Sequence, residues 1–171
     1  SSLAESPFVL SGCNQTSNEN SRIISSDKTL EDILERTEGS ETEFSFVDTY
    51  FSFSDLINDD FPEFYYGKVK RIEHYSTMVQ SLYFDVYKSE NNEVLGEIMI
   101  SIANGQTRLI VGEEAVLYLS YIESNSYYSL AAPYKGIFLI EDEKVYFSKD
   151  FDDLYNEIGN SKEKFLEIVF D

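Results

Sequence analysis

The sequence predicts a mainly β fold with some helix (α+β), a small antiparallel barrel of about five or six strands with a helix at each end. Apolar and polar residues alternate over short segments between residues 65 and 147, and the spacing becomes helical on both sides of this region. Glycines lie near the expected bends, at Gly67, Gly96, Gly105, Gly112 and Gly136. Short twisted strands with such bends favour a barrel, and a sheet with helices on one face is the alternative.

The first 26 residues differ from the rest of the chain. Residues 11–26 are polar, rich in Ser and Asn, and show no apolar periodicity. Such a segment buries too little apolar surface to offset the entropy lost when it becomes ordered. We therefore expect residues 1–26 to be a flexible tether and residues 27–171 to form one globular domain.

The domain begins with a predicted short helix over residues 27–37. Leu30, Ile33 and Leu34 fall on one face at helical spacing, and acidic residues fill the first turns, where the helix dipole favours them. Ser26 or Asp27 can cap this helix.

An aromatic segment follows the first helix. Residues 43–53 alternate aromatic and polar side chains, which predicts a strand, and residues 54–60 predict a helical turn ahead of Pro62. Residues 65–75 predict the next strand.

Two further strands show the clearest alternation. Their apolar positions are Leu82, Phe84 and Val86, and then Ile98, Ile100 and Ile102. Asn91-Asn92 and Asn104-Gly105 supply turn residues that tolerate positive φ. Residues 114–122 are apolar on both faces, so we expect this strand to lie centrally in the sheet.

The end of the chain returns to helical spacing. Residues 136–140 and 144–147 predict a hairpin, and residues 151–158 and 162–170 predict two helices separated by Gly159. Asn160 and Glu163 resemble a capping box. The second helix carries an apolar stripe that we expect to dock on the barrel, made of Phe165, Leu166, Val169 and Phe170.

Composition excludes several function classes. The chain has 171 residues, of which 32 are acidic and 13 basic, so its formal net charge is −19. A general nucleic-acid binder needs a basic face, so we expect no nucleic-acid partner, and membrane association only through a lipid anchor. The single cysteine cannot form an internal disulfide or a cysteine-based zinc site.

No sequence motif predicts an enzyme or a cofactor. The chain contains no phosphate-binding glycine loop, no dinucleotide fingerprint and no zinc-protease helix motif. His74 is the only histidine, and it lies in a predicted strand with no nucleophile motif. We therefore expect no catalytic residues and no cofactor, and spare carboxylates are the only feature that a hydrolase would use.

Cys13 is the sharpest local signal in the sequence. Residues 10–13 read Leu-Ser-Gly-Cys, which matches the bacterial lipobox, where small residues precede a cysteine that receives a lipid. The polar stretch after Cys13 suits a surface tether. The alternative is an incidental free cysteine in a disordered tail, since residues 1–10 lack the basic start of a signal peptide.

Five stretches between residues 67 and 147 carry a resemblance. They read GKVKRIEHY, SLYFDVYK, LGEIMISIANG, RLIVGEEAVLYLSYIE and YKGIFLIEDEKVYF. Together they resemble small extracytoplasmic β-barrel domains of Gram-positive bacteria, often lipoproteins with an OB-like fold. The shared pattern is hydrophobic, so the resemblance implies a fold and a cell-surface location and carries no defined activity.

Two groups of residues are candidate sites. Tyr127, Tyr128 and Tyr134 flank Pro133 in an expected loop, where aromatic side chains often bind ligands; the alternative is that they close the barrel end. A second group offers carboxylates to a metal ion such as calcium, and consists of Asp150, Asp152 and Asp153. The alternative for these acids is a solvated helix N-terminus.

These observations lead to two competing functions. The first is a non-enzymatic binding or structural domain at the cell surface, tethered through Cys13, with a protein or a cell-wall polymer as its partner. The second is an acidic intracellular inhibitor or immunity-type protein that masks a basic protein, which the net charge favours. Lipidation of Cys13 would discriminate between them.

Overall fold

A computed structural model describes residues 29–34, 50–74, 76–103 and 109–171. The strands are β1 (Glu63–His74), β2 (Val79–Ser89), β3 (Gly96–Ala103), β4 (Glu114–Ile122), β5 (Tyr127–Leu130), β6 (Ile137–Glu141) and β7 (Lys144–Tyr146). The helices are α1 (Leu30–Leu34), α2 (Phe53–Ile57), α3 (Asp152–Ile158) and α4 (Lys162–Phe170). None of these helices is long and apolar enough to cross a membrane, a finding limited to the described ranges.

Five strands close into a barrel in the order β1-β2-β3-β5-β4, and β4 then pairs with β1. The predicted mainly β barrel is therefore confirmed, and its closed five-strand form is OB-like. One pairing departs from the expected antiparallel pattern, because β5 lies parallel to β3 where Ile100 faces Tyr128. The sequence predicts a loop at Tyr127 and Tyr128, whereas the structure has the short strand β5 there, and this strand closes the barrel.

The strand β4 occupies the centre of the sheet, as predicted. One edge pairs with β1, and the other edge is shared between β5 and the outer hairpin β6–β7. Its residues 115–119 are all buried, so both faces contact protein. Leu117 and Leu119 point into the barrel, whereas Val116 and Tyr118 point to its outside.

The barrel interior, called here the barrel core, holds the alternating apolar residues that the sequence predicts. Leu82, Phe84 and Ile100 have no measurable exposure, and α1 adds Leu30 and Ile33 to the same cluster. The predicted helix over residues 27–37 is thus present at Leu30–Leu34, and the rest of that range lies outside the described residues.

A second cluster, the outer core, lies between the outer face of β4 and the helices α2, α3 and α4. It is rich in aromatic rings, and Phe138 stacks on Phe165 with centroids 4.8 Å apart. Phe165 is fully buried. The predicted docking of the α4 stripe is confirmed by Phe165 and by its partly buried neighbours Leu166, Val169 and Phe170.

Two local predictions are wrong. Phe53 does not end a strand but begins α2, because the Ser52 side chain caps this helix by accepting a hydrogen bond from the Asp55 amide at 3.0 Å. Residues 43–49 of the predicted strand lie outside the described ranges. The cap of α4 is Ser161 rather than Asn160, whose side-chain amide instead donates to the Val145 carbonyl at 2.7 Å.

Candidate acidic groove

An open groove of about 700 Å³ lies between the start of β4, the β6–β7 hairpin and the first residue of α4. Its charged lining consists of Glu113, Glu114, Glu141, Asp142, Glu143 and Lys162. Among the residues that the structure describes, five carboxylates and one ammonium line the groove, with a formal charge of −4. Several of these carboxylates share one concave surface, so the groove attracts cations.

Strand pairing brings the two acidic runs of the groove together. Glu114, the first residue of β4, lies opposite Ile140 in the β4–β6 ladder. The acidic residues at the start of β4 therefore lie near those of the β6–β7 turn. The turn before β4 is held to β1 by two hydrogen bonds of 2.8 Å, from the Gly112 amide to the Val69 carbonyl and from the Val69 amide to the Glu113 carbonyl. Gly112 has a φ of +96°, which suits glycine.

The same turn exposes two apolar side chains, one of which lines the groove. Ile110 is 47% exposed and lines the groove, and the adjacent Val111 is 58% exposed. Apolar side chains on a short, anchored turn offer contact area to the aliphatic part of a bound partner.

The hairpin turn at the groove rim has an unusual composition. Asp142 and Glu143 form a two-residue loop and have φ values of 53° and 67°. Asparagine and glycine are the residues that such a turn favours. Backbone strain of this kind is often retained at functional sites, and here it places two carboxylates on the rim.

Lys162 is the one cation among the described residues that line the groove. Its Nζ lies 3.9 Å from Glu143 Oε2 and 5.8 Å from the centre of the Tyr66 ring. Burial alone would lower the pKa of Lys162, but the Tyr66 hydroxyl and the carboxylates of Glu143 and Glu114 outweigh it and raise this pKa. Lys162 therefore stays charged in the groove.

Tyr66 connects Lys162 to Glu114. Its hydroxyl donates a hydrogen bond to Glu114 Oε1 at 3.1 Å, and its ring meets Tyr87 edge-on at 5.5 Å. Burial raises the pKa of Tyr66, with a further contribution from Glu114, whereas Lys162 lowers it. Lys162, which lines the groove, thus lies beside an aromatic ring as well as a carboxylate, and this combination suits an organic cation.

The three tyrosines of the predicted binding site lie in two different places: two in the strand β5 and one in the segment between β5 and β6. Tyr127 and Tyr128 lie in β5, where the Tyr128 ring packs against Tyr65 at 5.4 Å and Tyr121 at 4.9 Å. Tyr134 follows Pro133 with a φ of 66° and packs against the barrel core. The ligand-binding role of these tyrosines stays a prediction.

The three acids predicted to bind calcium have other partners in the structure. Asp153 accepts hydrogen bonds from the Phe53 amide at 3.0 Å and the Ser54 amide at 2.9 Å, and so caps α2. Asp150 lies 3.2 Å from Lys135 Nζ, and Asp152 is exposed in the first turn of α3. In the part of the chain that the structure describes, no three His, Cys, Asp or Glu side chains could hold a metal ion together.

Two other residues singled out from the sequence stand apart from the groove. His74 is exposed at the end of β1, opposite Gln80. Cys13 lies outside the described residues, so its lipidation stays a prediction.

No protein-family model, curated protein or solved structure matches this chain. The assignment of an OB-like barrel therefore rests on the strand order and pairing themselves.

Proposed function

We propose that this chain is a non-enzymatic binding domain, held at the surface of a Gram-positive bacterium by a lipid on Cys13, and that its barrel binds a basic segment of a protein partner. The acidic groove is the observation that supports the binding role. The lipobox-like sequence around Cys13 supports the location.

The charge of the groove favours a basic polypeptide. The described residues of the groove carry a formal charge of −4 within a chain of net charge −19, so a positively charged partner is attracted at long range and held at short range. Ile110, which lines the groove and is 47% exposed, adds apolar contact area for the methylene stems of lysine or arginine. Of the two partner classes expected from the sequence, this groove favours the protein over the cell-wall polymer.

Binding can be tested with an acetylated, amidated oligolysine peptide by titration calorimetry. The variant Glu141→Gln with Asp142→Asn removes two carboxylates from the groove, and its affinity should fall by about fivefold, because each exposed charge pair contributes about 0.2–1 kcal/mol. Higher salt should weaken binding to the native protein.

A matched control removes two exposed carboxylates elsewhere, through Glu93→Gln and Glu123→Gln. Glu123 follows the far end of β4, about 30 Å from Glu114 at the usual rise of a strand. The control should change affinity by less than about twofold. An equal loss in both double variants, or binding of oligoglutamate as strong as that of oligolysine, would show that the groove is not the site.

The location is tested by expression from the native gene with radiolabelled palmitate and membrane fractionation. Wild type should carry the label in the membrane fraction, and Cys13→Ala should lose both. Ser11→Ala keeps a small residue in the motif and should retain the label. An unlabelled, soluble cytoplasmic wild type would overturn the surface location.

An acidic inhibitor of a basic protein is the second candidate. The same groove would then mask the positive surface of an intracellular partner. Binding of oligolysine combined with unlabelled Cys13 would favour this function, whereas binding combined with labelling favours the surface domain.

A further inference from the structure

One serine on the outside of the barrel is buried without a hydrogen bond. Ser81 is 2% exposed, and its hydroxyl has no hydrogen-bond partner in the part of the chain that the structure describes. Leu82 and Phe84 point into the barrel core, so the alternation of β2 turns the Ser81 side chain to the outer face of the sheet. A buried hydroxyl without a partner costs free energy, which a ligand recovers when it bonds to that hydroxyl.

The outer face of β1, β2 and β3 on which Ser81 lies, called here the polar face, carries balanced charges. Its ion pairs measure 3.1 to 3.3 Å and join two cations, Lys70 and Arg71, to two carboxylates, Glu73 and Glu97. This balance stands out in a chain of net charge −19. A charged ligand would have to displace one of these pairs, whereas a neutral ligand with hydroxyl groups can donate to the carboxylates and accept from the cations.

A flat stacked surface lies next to Ser81 on the polar face. The guanidinium carbon of Arg71 lies 3.8 Å from the centre of the Tyr83 ring. In the adjacent row of the sheet, Ser81 lies between Glu73 and Ser101. Planar groups beside hydroxyls and carboxylates suit a sugar, because its ring can lie on the flat surface while its hydroxyl groups both donate and accept hydrogen bonds.

We propose that the polar face binds a neutral oligosaccharide and that the Ser81 hydroxyl bonds to one of its hydroxyl groups. The side chains of Arg71 and Glu73 are 45% and 58% exposed, so their ion pair contributes little and can open to admit the sugar. The polar face shares no lining residue with the acidic groove among the described residues. This site is therefore independent of the basic partner proposed for the groove.

The first test is titration calorimetry of the full chain with two neutral tetrasaccharides, cellotetraose and chitotetraose. Wild type should bind at least one of them at millimolar concentration, and binding of neither would overturn the proposal. Tetragalacturonate, which is anionic, should bind at least about fivefold more weakly, because the net charge of −19 repels it. Tighter binding of tetragalacturonate would contradict a site for neutral sugars.

Ser81→Ala tests the role of the hydroxyl. Affinity for the bound tetrasaccharide should fall by about fivefold, because one hydrogen bond to the ligand is lost. The melting temperature of the free protein should stay the same or rise, because the variant breaks no hydrogen bond among the described residues. Greater stability with unchanged affinity would show that Ser81 is only an unpaired group of the fold.

Ser89→Ala is the matched control at the other end of β2. Ser89 is 1% exposed, and its hydroxyl accepts a hydrogen bond from the Val94 amide at 3.3 Å. This variant should lower the melting temperature and leave the sugar affinity within about twofold of wild type. An affinity loss equal to that of Ser81→Ala would contradict a specific role for Ser81.

The groove variant, Glu141→Gln with Asp142→Asn, separates this site from the proposed function. It should bind the tetrasaccharide as wild type does, and a loss would place the sugar in the groove and overturn the polar face as its site. Sugar binding without any oligolysine binding would instead contradict the proposed function and support the polar face.

Discussion

The hydroxyl of Tyr118 donates a hydrogen bond to the main-chain carbonyl of Leu56 at 2.7 Å, and so joins the middle of β4 to α2 across 62 residues of sequence. Tyr118 is 1% exposed and Leu56 is fully buried. A buried hydroxyl without a partner is costly, and this hydroxyl finds its acceptor at the end of α2, where the Leu56 carbonyl also accepts a hydrogen bond from the Asp59 amide at 3.2 Å. This bond therefore fixes α2 over the outer core.

Tyr118→Phe should destabilise the domain by about 1 kcal/mol, because it removes a buried hydrogen bond to the Leu56 carbonyl, which keeps the Asp59 amide as its other donor. The free energy of unfolding in urea measures the loss. Tyr127→Phe is the control, because the Tyr127 hydroxyl takes part in an exposed hydrogen bond with Asn125, and it should cost less than about 0.5 kcal/mol. Equal losses would show that the bond to Leu56 contributes little.

Asp153→Asn should cost about 1 kcal/mol at neutral pH, because it weakens the cap that Asp153 provides to α2. Burial alone would raise the pKa of Asp153, but hydrogen bonds from the Phe53, Ser54 and Leu154 amides outweigh it and lower this pKa. The unfolded chain therefore takes up a proton more readily than the folded one. The stabilising contribution is present above the unfolded pKa of about 3.8 and is lost as pH falls through the folded value.

Urea unfolding of wild type and Asp153→Asn across the acidic range tests this pH dependence. The difference between them should be constant near neutral pH and shrink below about pH 4. Glu157→Gln, an exposed change on the same helix, should show little difference at any of these pH values. A difference that grows as pH falls would contradict the lowered pKa.

Asp142→Asn with Glu143→Gly should stabilise the domain by about 1 kcal/mol and weaken oligolysine binding. Asn-Gly suits the positive φ angles of this hairpin turn, and the exchange removes two carboxylates from the groove. Thermal unfolding and titration calorimetry measure the two effects. Greater stability with unchanged binding would show that the acids of the turn do not contact the peptide.

Gly67→Ala should cost at least about 2 kcal/mol, because the added methyl group would collide with the Asp85 carbonyl and lie 2.9 Å from the Phe84 ring. Gly67 lies at a register shift in the β1–β2 ladder, where the two strands approach closely. Gly96→Ala is the comparison, since no atom lies within 4 Å of its added methyl group. Strain from its φ of +89° should cost it about 1 kcal/mol. Equal changes in melting temperature would argue against the collision.

A strand of the barrel can be predicted from the sequence when the pattern of its own residues is enough to identify it. In β4, Val116 and Tyr118 alternate with Leu117 and Leu119, and this local pattern is enough to place the strand between two apolar environments. The strand β5 has only four residues, too few for a period to show, and it depends on pairing with the distant β3 as well as with the preceding β4.

Phe53 shows how distant contacts decide a local structure. Its aromatic surroundings predict a strand, but the Asp153 carboxylate, 100 residues away, accepts its amide hydrogen and favours the start of a helix. A single sequence gives no sign of this contact.

The sequence does not predict the groove, for a related reason. Glu113 and Glu114 form one short acidic run and residues 141–143 form another, and each is ordinary for an exposed strand end. Only the pairing of β4 with β6 brings the two runs onto one surface. The signal in the sequence is an acidic pair at the start of one predicted strand and an acidic run at the end of another, and it indicates a groove only if the two strands pair.

The burial of both faces of β4 has a consequence for amide hydrogen exchange. The barrel core and the outer core use the same strand as a wall, so neither can open without removing support from the other. The amides of residues 115–119 should therefore exchange with solvent only when the whole domain unfolds. Their exchange rates would report the global free energy of unfolding, and a slower exchange in the presence of a ligand would give its binding free energy without any probe attached to the protein.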